Sequence, residues 1–353
     1  MGTVRFVLAL LVVIFHLASV PNVGHLAVQA FFVLSGYLMT LVMQESYGYS
    51  ASGIGRFWAN RILRLYPMYL ALVVLTLGLI AWLGEPVTST FSGGIFLPET
   101  PVEWLQNLTF IYWNWIPVHE YPRLVSPSWA LTVELAYYLL ISLGLSRSVR
   151  LTWAWFAFGV GWYIWLIASN QTYDFGYFHI ASGALPFSLG ALIWHYRGTI
   201  DGWMAKVQLT PNRIALALIA AGFGGMFLAA ALRVLVVLLG ADETLETVVM
   251  LAHPFSAVLL ILGVRKLSHT GRAKSWDKTL GDLSYPIYVS HYLFAIPVAR
   301  ITGLVSPGRD LLSAVTTLMT LPVMCLGCWV LVQLIDRPIE RWRDRIRGAR
   351  GQG

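Results

Sequence analysis

VRFVLALLVVIFH, residues 4–16, decides the fold class. All ten residues between Arg5 and His16 are apolar. A soluble amphipathic helix places polar residues on one face every three or four positions. This stretch does not, so it reads as a helix surrounded by lipid or by other helices, with a base at one end and an imidazole near the other. Arg5 followed by an apolar run also fits a signal peptide. Three features favour a retained span: His16 interrupts the run, no small-x-small site follows at once, and a second run, LAVQAFFVLSGYLMTLVMQ, starts at Leu26.

Composition agrees. Hydrophobic residues make up 57% of the 353 and charged residues only 12%, about half the share usual in soluble proteins. The expected class is an all-α integral membrane protein. The net charge of +7 reports which side the loops occupy and does not point to nucleic acid. The two cysteines, Cys325 and Cys328 in CLGC, lie in an apolar run without His or Cys partners, and are expected to be a packed, inert pair.

A crossing of about 30 Å takes roughly 20 helical residues. Ten segments are candidates: 4–20, 26–44, 63–83, 128–146, 151–168, 178–196, 213–239, 246–264, 280–299 and 311–335. With the N-terminus inside, Arg123, Arg300 and Arg309 are the basic residues that fall in outer segments, and Arg233 lies near an outer helix end. The rest of the 24 lie inside, as the positive-inside rule expects. Both termini are therefore expected to be cytoplasmic, with one bundle of about ten helices over 1–340 and a basic tail over 341–353. The long outer loop, 84–127, carries Glu85, Glu99, Glu103 and Glu120 and the aromatic run FIYWNWIPVHEYP. That run suits stacking on sugar rings, and equally an interfacial aromatic belt.

Ionisable groups at membrane depth are costly and mark function. At about 1.5 Å per residue, His16 lies roughly 16 Å above Arg5, and His291 reaches a similar height on the ninth segment. Glu134 and His253 lie about 9–10 Å below the outer boundary. Three imidazoles and a carboxylate thus share the middle-to-outer layer. His16 as a base with Glu134 as its orienting partner would activate a hydroxyl. A lone helical histidine bonding a neighbouring carbonyl is the plainer alternative for His253 and His291. Nothing at His16 has metal-ligand spacing, so no metal is expected. Arg61 and Arg64, in RILRLYP, share a helical face level with Arg5. They fit either an anionic cytosolic ligand or topology anchoring.

Five separated blocks carry a resemblance. RFVLALLVVIFH (5–16), QAFFVLSGYLMT (29–40), FWANRILRLYPMY (57–69), PSWALTVELAYYL (127–139), and LSYPIYVSHYL (283–293) with IDRPIERW (335–342) resemble, in order, the blocks of the acyltransferase-3 family of bacterial membrane O-acyltransferases. The resemblance implies a multi-pass inner-membrane enzyme that moves an acyl group, usually acetyl, from cytosolic acyl-CoA to a hydroxyl of a carbohydrate or lipid-linked acceptor. It implies His16 as catalytic base, Glu134 paired with the active centre, and Arg5, Arg61 and Arg64 as holders of the donor. Ala130, Leu135 and Ala136 depart from the family pattern, which leaves acceptor contacts open. The chain ends shortly after the last expected span, so the esterase-like domain many members carry is not expected. His291, Ser290, Ser35 and Tyr37 are candidate oxyanion donors. His291 is counted as catalytic, and Ser35, Tyr37 and Trp129 are the candidates for substrate contact. The runner-up is a proton-coupled transporter with the histidines and Glu134 as a relay, against which stands the lack of inverted repeats. The other membrane O-acyltransferase class would want a late His–Asn pair, which is not found.

Overall fold

The computed structural model describes residues 1–171, 173–240, 243–267 and 271–348. The end of the expected basic tail, 349–353, lies outside the described residues. Helices run in the order α1 (Gly2–Ala18), α2 (Val23–Val42), α3 (Ala51–Leu83), α4 (Glu85–Phe91), α5 (Pro101–Thr109), α6 (Trp129–Ser142), α7 (Val149–Ala168) and α8 (Tyr173–Tyr177). They continue with α9 (Ala184–His195), α10 (Arg197–Ala205), α11 (Pro211–Leu238), α12 (Glu243–Lys266), α13 (Gly271–Thr302), α14 (Leu311–Leu331) and α15 (Arg337–Gly348). Among the described residues there is no strand. Every expected segment contains a helix. Among the described residues, five helices are long and apolar enough to cross a membrane: Val23–Tyr47, Ala51–Leu83, Val149–Ala168, Pro211–Leu238 and Leu311–Asp344.

Two expected spans differ in form. Segment 128–146 holds α6, which has 14 residues and reaches only about 21 Å. A buried single turn, Ser126–Ser128, precedes it, and Gly144 at φ 107 turns the chain at its end. Segment 178–196 divides into a turn at Ile180–Gly183 and the 12-residue α9. The breaks fall at Pro127 and just before Pro186, where proline disfavours a continued helix on its N-terminal side. Irregular backbone is tolerated at such depth when protein covers it, and Pro127, Ser128, Ser182 and Gly183 are all buried.

α2 is the central helix, packed against α1, α6, α9, α11 and α12. Glycine permits its closest crossing. A Cβ on Gly36 would fall on the carbonyl of Phe187 in α9, and a Cβ on Gly190 would fall on the carbonyl of Val33. Small residues let membrane helices approach backbone to backbone. Gly2 of α1 meets Asp277 and Gly281 of α13 in the same way. The Asp277 carboxylate also caps the start of α1, accepting from the N–H groups of Gly2 (3.0 Å) and Thr3 (2.8 Å) and from the terminal ammonium (3.0 Å). Such a cap satisfies N–H groups that a helix start leaves unpaired. It also fixes the height of Arg5, one turn on.

Gly190→Val is expected to loosen the α2–α9 crossing. Its cost should reach the upper end of the ~1–3 kcal/mol typical of overpacking, because the clash is with backbone that cannot rotate away. Thermal unfolding in detergent checks this against Gly161→Ala, where a Cβ meets nothing within 4 Å and the midpoint should hold or rise.

Candidate active site

Four helices, α1, α2, α6 and α13, line both of two adjoining cavities, designated inner and outer by the side on which the sequence places Arg5. The inner one, of about 410 Å³, is lined by Arg5, Ser35, Arg61, Arg64, Glu134, Tyr138, Asp282, Tyr285 and Arg343 among others. The outer one, of about 230 Å³, is lined by His16, His25, Arg123, Trp129, Phe178 and Tyr292 among others. Val28 and Tyr288 line both.

The sequence spacing explains the alignment. On α2, Gly24, His25 and Val28 face the outer cavity, and Val28, Phe31, Phe32, Ser35, Leu38, Met39 and Val42 face the inner one. Steps of three and four keep these residues on one helical face. The stripe from residue 24 to 42 runs about 27 Å, close to the hydrocarbon thickness of a bilayer. The other three helices repeat the pattern: Arg5 then Val12, Phe15 and His16 on α1; Tyr138, Glu134 and Ala130 then Trp129 on α6; Asp282 and Tyr285 then Tyr288 and Tyr292 on α13.

The inner cavity is basic at one end. Arg64 donates to Asp336 (3.2 Å), and Arg61 donates to Asn60 Oδ1 (2.9 Å). Arg5 makes no side-chain hydrogen bond or ion pair within 4 Å among the described residues; it lines the cavity, where the Asp282 and Glu134 carboxylates act on it at longer range. Glu340 and Arg343 of α15 complete this end, where Lys278 pairs with Glu340 across the surface (3.1 Å). Glu134 lies further in. Its Oε1 accepts from Ser35 Oγ (2.5 Å) and from Tyr138 OH (2.5 Å).

The expected His16–Glu134 pair is therefore not formed: Glu134 lines the inner cavity, and its hydrogen bonds go to Ser35 and Tyr138. His16 lines the outer cavity and stacks instead on His291, with ring centroids 4.9 Å apart and planes 9° from parallel. His16 Nδ1 is buried without a hydrogen-bond partner. The His291 ring is fully buried behind it and lines neither cavity. His291 Nδ1 is 2.8 Å from the Tyr288 carbonyl. A carbonyl only accepts, so Nδ1 carries the proton and Nε2 the lone pair. That bond holds the His291 plane, and the stack holds His16. His291, counted as catalytic from the sequence, thus lines neither cavity and meets them only through the His16 ring. His253 is 1% exposed, without a partner at either nitrogen, and lines neither cavity.

The expected substrate contacts also separate. Trp129 walls the outer cavity edge-on to Phe178, with centroids at 4.8 Å. Ser35 serves the inner cavity through Glu134. Tyr37 lines neither cavity: its OH accepts from Arg265 Nε (3.0 Å), and Arg265 also meets Asp201 (3.4 Å). Ser290 contacts Cys328 Sγ (3.3 Å) and faces away from the site. That contact makes Cys328 a packed residue, as expected. No group of three His, Cys, Asp or Glu among the described residues is placed to hold a metal.

Residues not singled out from the sequence complete the site. His25 Nδ1 is 3.3 Å from an Arg233 N–H. Arginine only donates, so His25 Nδ1 accepts. Its spacing of nine from His16, across a turn, gave no helical-face signal. Arg123, read as a topological exception, is 5% exposed. It donates to the carbonyls of Glu120 (2.7 Å), Ser126 (3.1 Å) and Val118, and ties the outer loop down over the cavity. Tyr138 was legible, since it follows Glu134 by one helical turn.

Outside the membrane-spanning segments, the loop is ordered by a capping box, with Thr100 accepting from the Glu103 N–H (3.2 Å) and Glu103 accepting from the Thr100 N–H (3.1 Å). Backbone hydrogen bonds from Glu99 and Thr100 hold the Glu103 carboxyl below its ordinary range.

Comparison with known proteins bears on what this arrangement does. A family model described as an acyltransferase domain matches residues 2–333. The chain belongs to the acyltransferase-3 family. It is thus an integral membrane acyltransferase, and the transporter reading falls away. It is similar to the exopolysaccharide production protein ExoZ of Rhizobium meliloti (strain 1021), 28% identical over 82% of this chain and 84% of that one. It also matches the acyltransferase MdmB of Streptomyces mycarofaciens, 28% identical over 41% of this chain and 35% of that one. The O-acetyltransferase OatA of Staphylococcus aureus (strain NCTC 8325 / PS 47) is 32% identical over 37% of this chain and 22% of its own length. No solved structure matches.

Proposed function

We propose that this acyltransferase moves an acyl group, in the first instance acetyl, from cytosolic acyl-CoA to a hydroxyl of a cell-envelope carbohydrate at the outer face of the bacterial inner membrane. The observation that carries the reading is the shared wall of the two cavities: an arginine-rich chamber abuts, at Val28 and Tyr288, an aromatic chamber holding His16. Acyl-CoA phosphates suit Arg5, Arg61 and Arg64, since the guanidinium fork matches two phosphate oxygens. An aromatic wall such as Trp129 suits a sugar ring. The names of ExoZ, an exopolysaccharide production protein, and of OatA, an O-acetyltransferase, support a polysaccharide acceptor and an O-acetyl product. Both termini lie in the cytoplasm on this reading, which agrees with the basic loops.

In the reaction, His16 takes the proton of the acceptor hydroxyl as its oxygen attacks the thioester carbonyl. The carbon–sulfur bond breaks, and the CoA thiolate takes up the proton from the imidazolium. An ester and free CoA result. The stacked His291 keeps the imidazole plane fixed through the cycle. Mass spectrometry of envelope glycans from cells with and without the gene tests the assignment. Ester-linked acyl groups should be lost with the gene and restored with it, and an unchanged glycan profile would contradict the proposal.

A further inference from the structure

Val28 and Tyr288 are the residues common to both cavities. Every group at the basic end lies on one side of them, and His16 lies on the other. Both are nearly closed to solvent, Val28 at 5% and Tyr288 at 8%. Tyr288 is held there. Its OH donates to the carbonyl of Pro127 (3.2 Å), in the turn that starts α6, and its ring lies 6.1 Å from Phe31 on α2. Tyr288 also supplies the carbonyl that holds His291. The two residues the chambers share are therefore a β-branched side chain, stiff about χ1, and an aromatic ring fixed at its far end. Neither yields by a simple rotamer change.

We propose that Val28 and Tyr288 form a metering septum that sets the length of acyl group the enzyme transfers. This rests on the acyl-CoA reading above. The CoA body stays in the arginine-lined chamber, and only the thioester and its acyl group reach past the septum to the imidazole. An acetyl group adds one methyl beyond the carbonyl carbon. Each further methylene has to pass between Val28 and Tyr288 and then share the outer chamber, about 230 Å³, with the acceptor, in a site whose packing leaves little slack. The septum also keeps water in the polar inner chamber from the thioester carbon once it has passed through.

Donor-length profiles on the purified enzyme test the septum, with acetyl-, propionyl-, butyryl- and hexanoyl-CoA and one carbohydrate acceptor. Val28→Ala removes two methyls from the septum. It should raise the butyryl-to-acetyl ratio of kcat/KM by about tenfold, within the range that one or two methylenes contribute to discrimination in an apolar pocket. Val28→Phe should move the ratio the other way and depress transfer from all donors, while CoA binding, read by calorimetry, stays measurable. A merely structural role for Val28 would lower all donors in proportion and leave the ratio unmoved. A wild-type enzyme that transfers acyl groups, with variants that keep its donor profile, overturns the septum alone. A wild-type enzyme that releases no CoA with any donor or acceptor overturns the acyl-CoA reading and the septum with it.

Discussion

His16→Ala is expected to lower acyl transfer by about 10²- to 10⁴-fold, the range positioned general-base catalysis contributes. The loss should fall on kcat. Donor KM should hold, because the arginines lie in the other cavity, beyond Val28 and Tyr288. His291 cannot take over as base. It lines neither cavity, so the lone pair on its Nε2 opens onto neither chamber. His291→Ala is expected to cost less, since it removes the stacking surface but leaves the imidazole in reach of substrate. Steady-state kinetics on both variants checks the order. Equal losses would make the histidines a joint catalytic unit, and normal turnover in His16→Ala would remove His16 from the chemistry.

That ordering was only half legible in the sequence. The common depth of His16 and His291 followed from counting residues along two helices, and the structure stacks the two rings. Glu134 was expected in the same middle-to-outer layer as His16, but its carboxylate lines the inner cavity with Arg5. Its helix is short and enters after the buried turn at Ser126–Ser128, which directs the carboxylate to Ser35 and Tyr138 on the inner side. Tyr37 shows the same gap. It lies two residues from Ser35, so the helix turns it to another face, where Arg265 takes its hydroxyl. His25 escaped notice because the link between α1 and α2 is a tight turn with Ser19 and Asn22 at positive φ, and no periodicity crosses such a turn. The helical segments themselves were readable from apolar run length. The places where they break, near Pro127 and Pro186, depend on neighbouring helices to cover the exposed backbone.

The second large effect concerns the donor. Arg5→Ala is expected to raise the acyl-CoA KM by about tenfold to a hundredfold, the equivalent of ~1.5–3 kcal/mol for one charge-assisted hydrogen bond. The sequence alone ranked Arg61 and Arg64 with it. The structure separates the three. Arg64 shares its charge with Asp336, and Arg61 spends an N–H on Asn60. Arg5 has no such protein contact among the described residues, and the Asp277 cap fixes its position on α1. Removing it therefore takes away a group held ready for an anion. Arg64→Ala should raise KM less and also lower stability, because Asp336, about one-tenth exposed, would lose its partner. Arg5→Lys should recover part of the loss, since lysine keeps the charge but not the planar fork. Donor titrations by isothermal calorimetry, run beside the kinetics, would show whether KM follows binding. An Arg5→Ala enzyme with unchanged donor affinity would return Arg5 to a topological anchor.

The central claim is that donor and acceptor reach one imidazole from opposite faces of the membrane. Sealed proteoliposomes test it, with labelled acetyl-CoA enclosed and an impermeant carbohydrate acceptor outside. The arrangement of the two cavities predicts labelled ester on the external acceptor and free CoA inside, both lost in His16→Ala. Label that passes only when donor and acceptor share a compartment would contradict it.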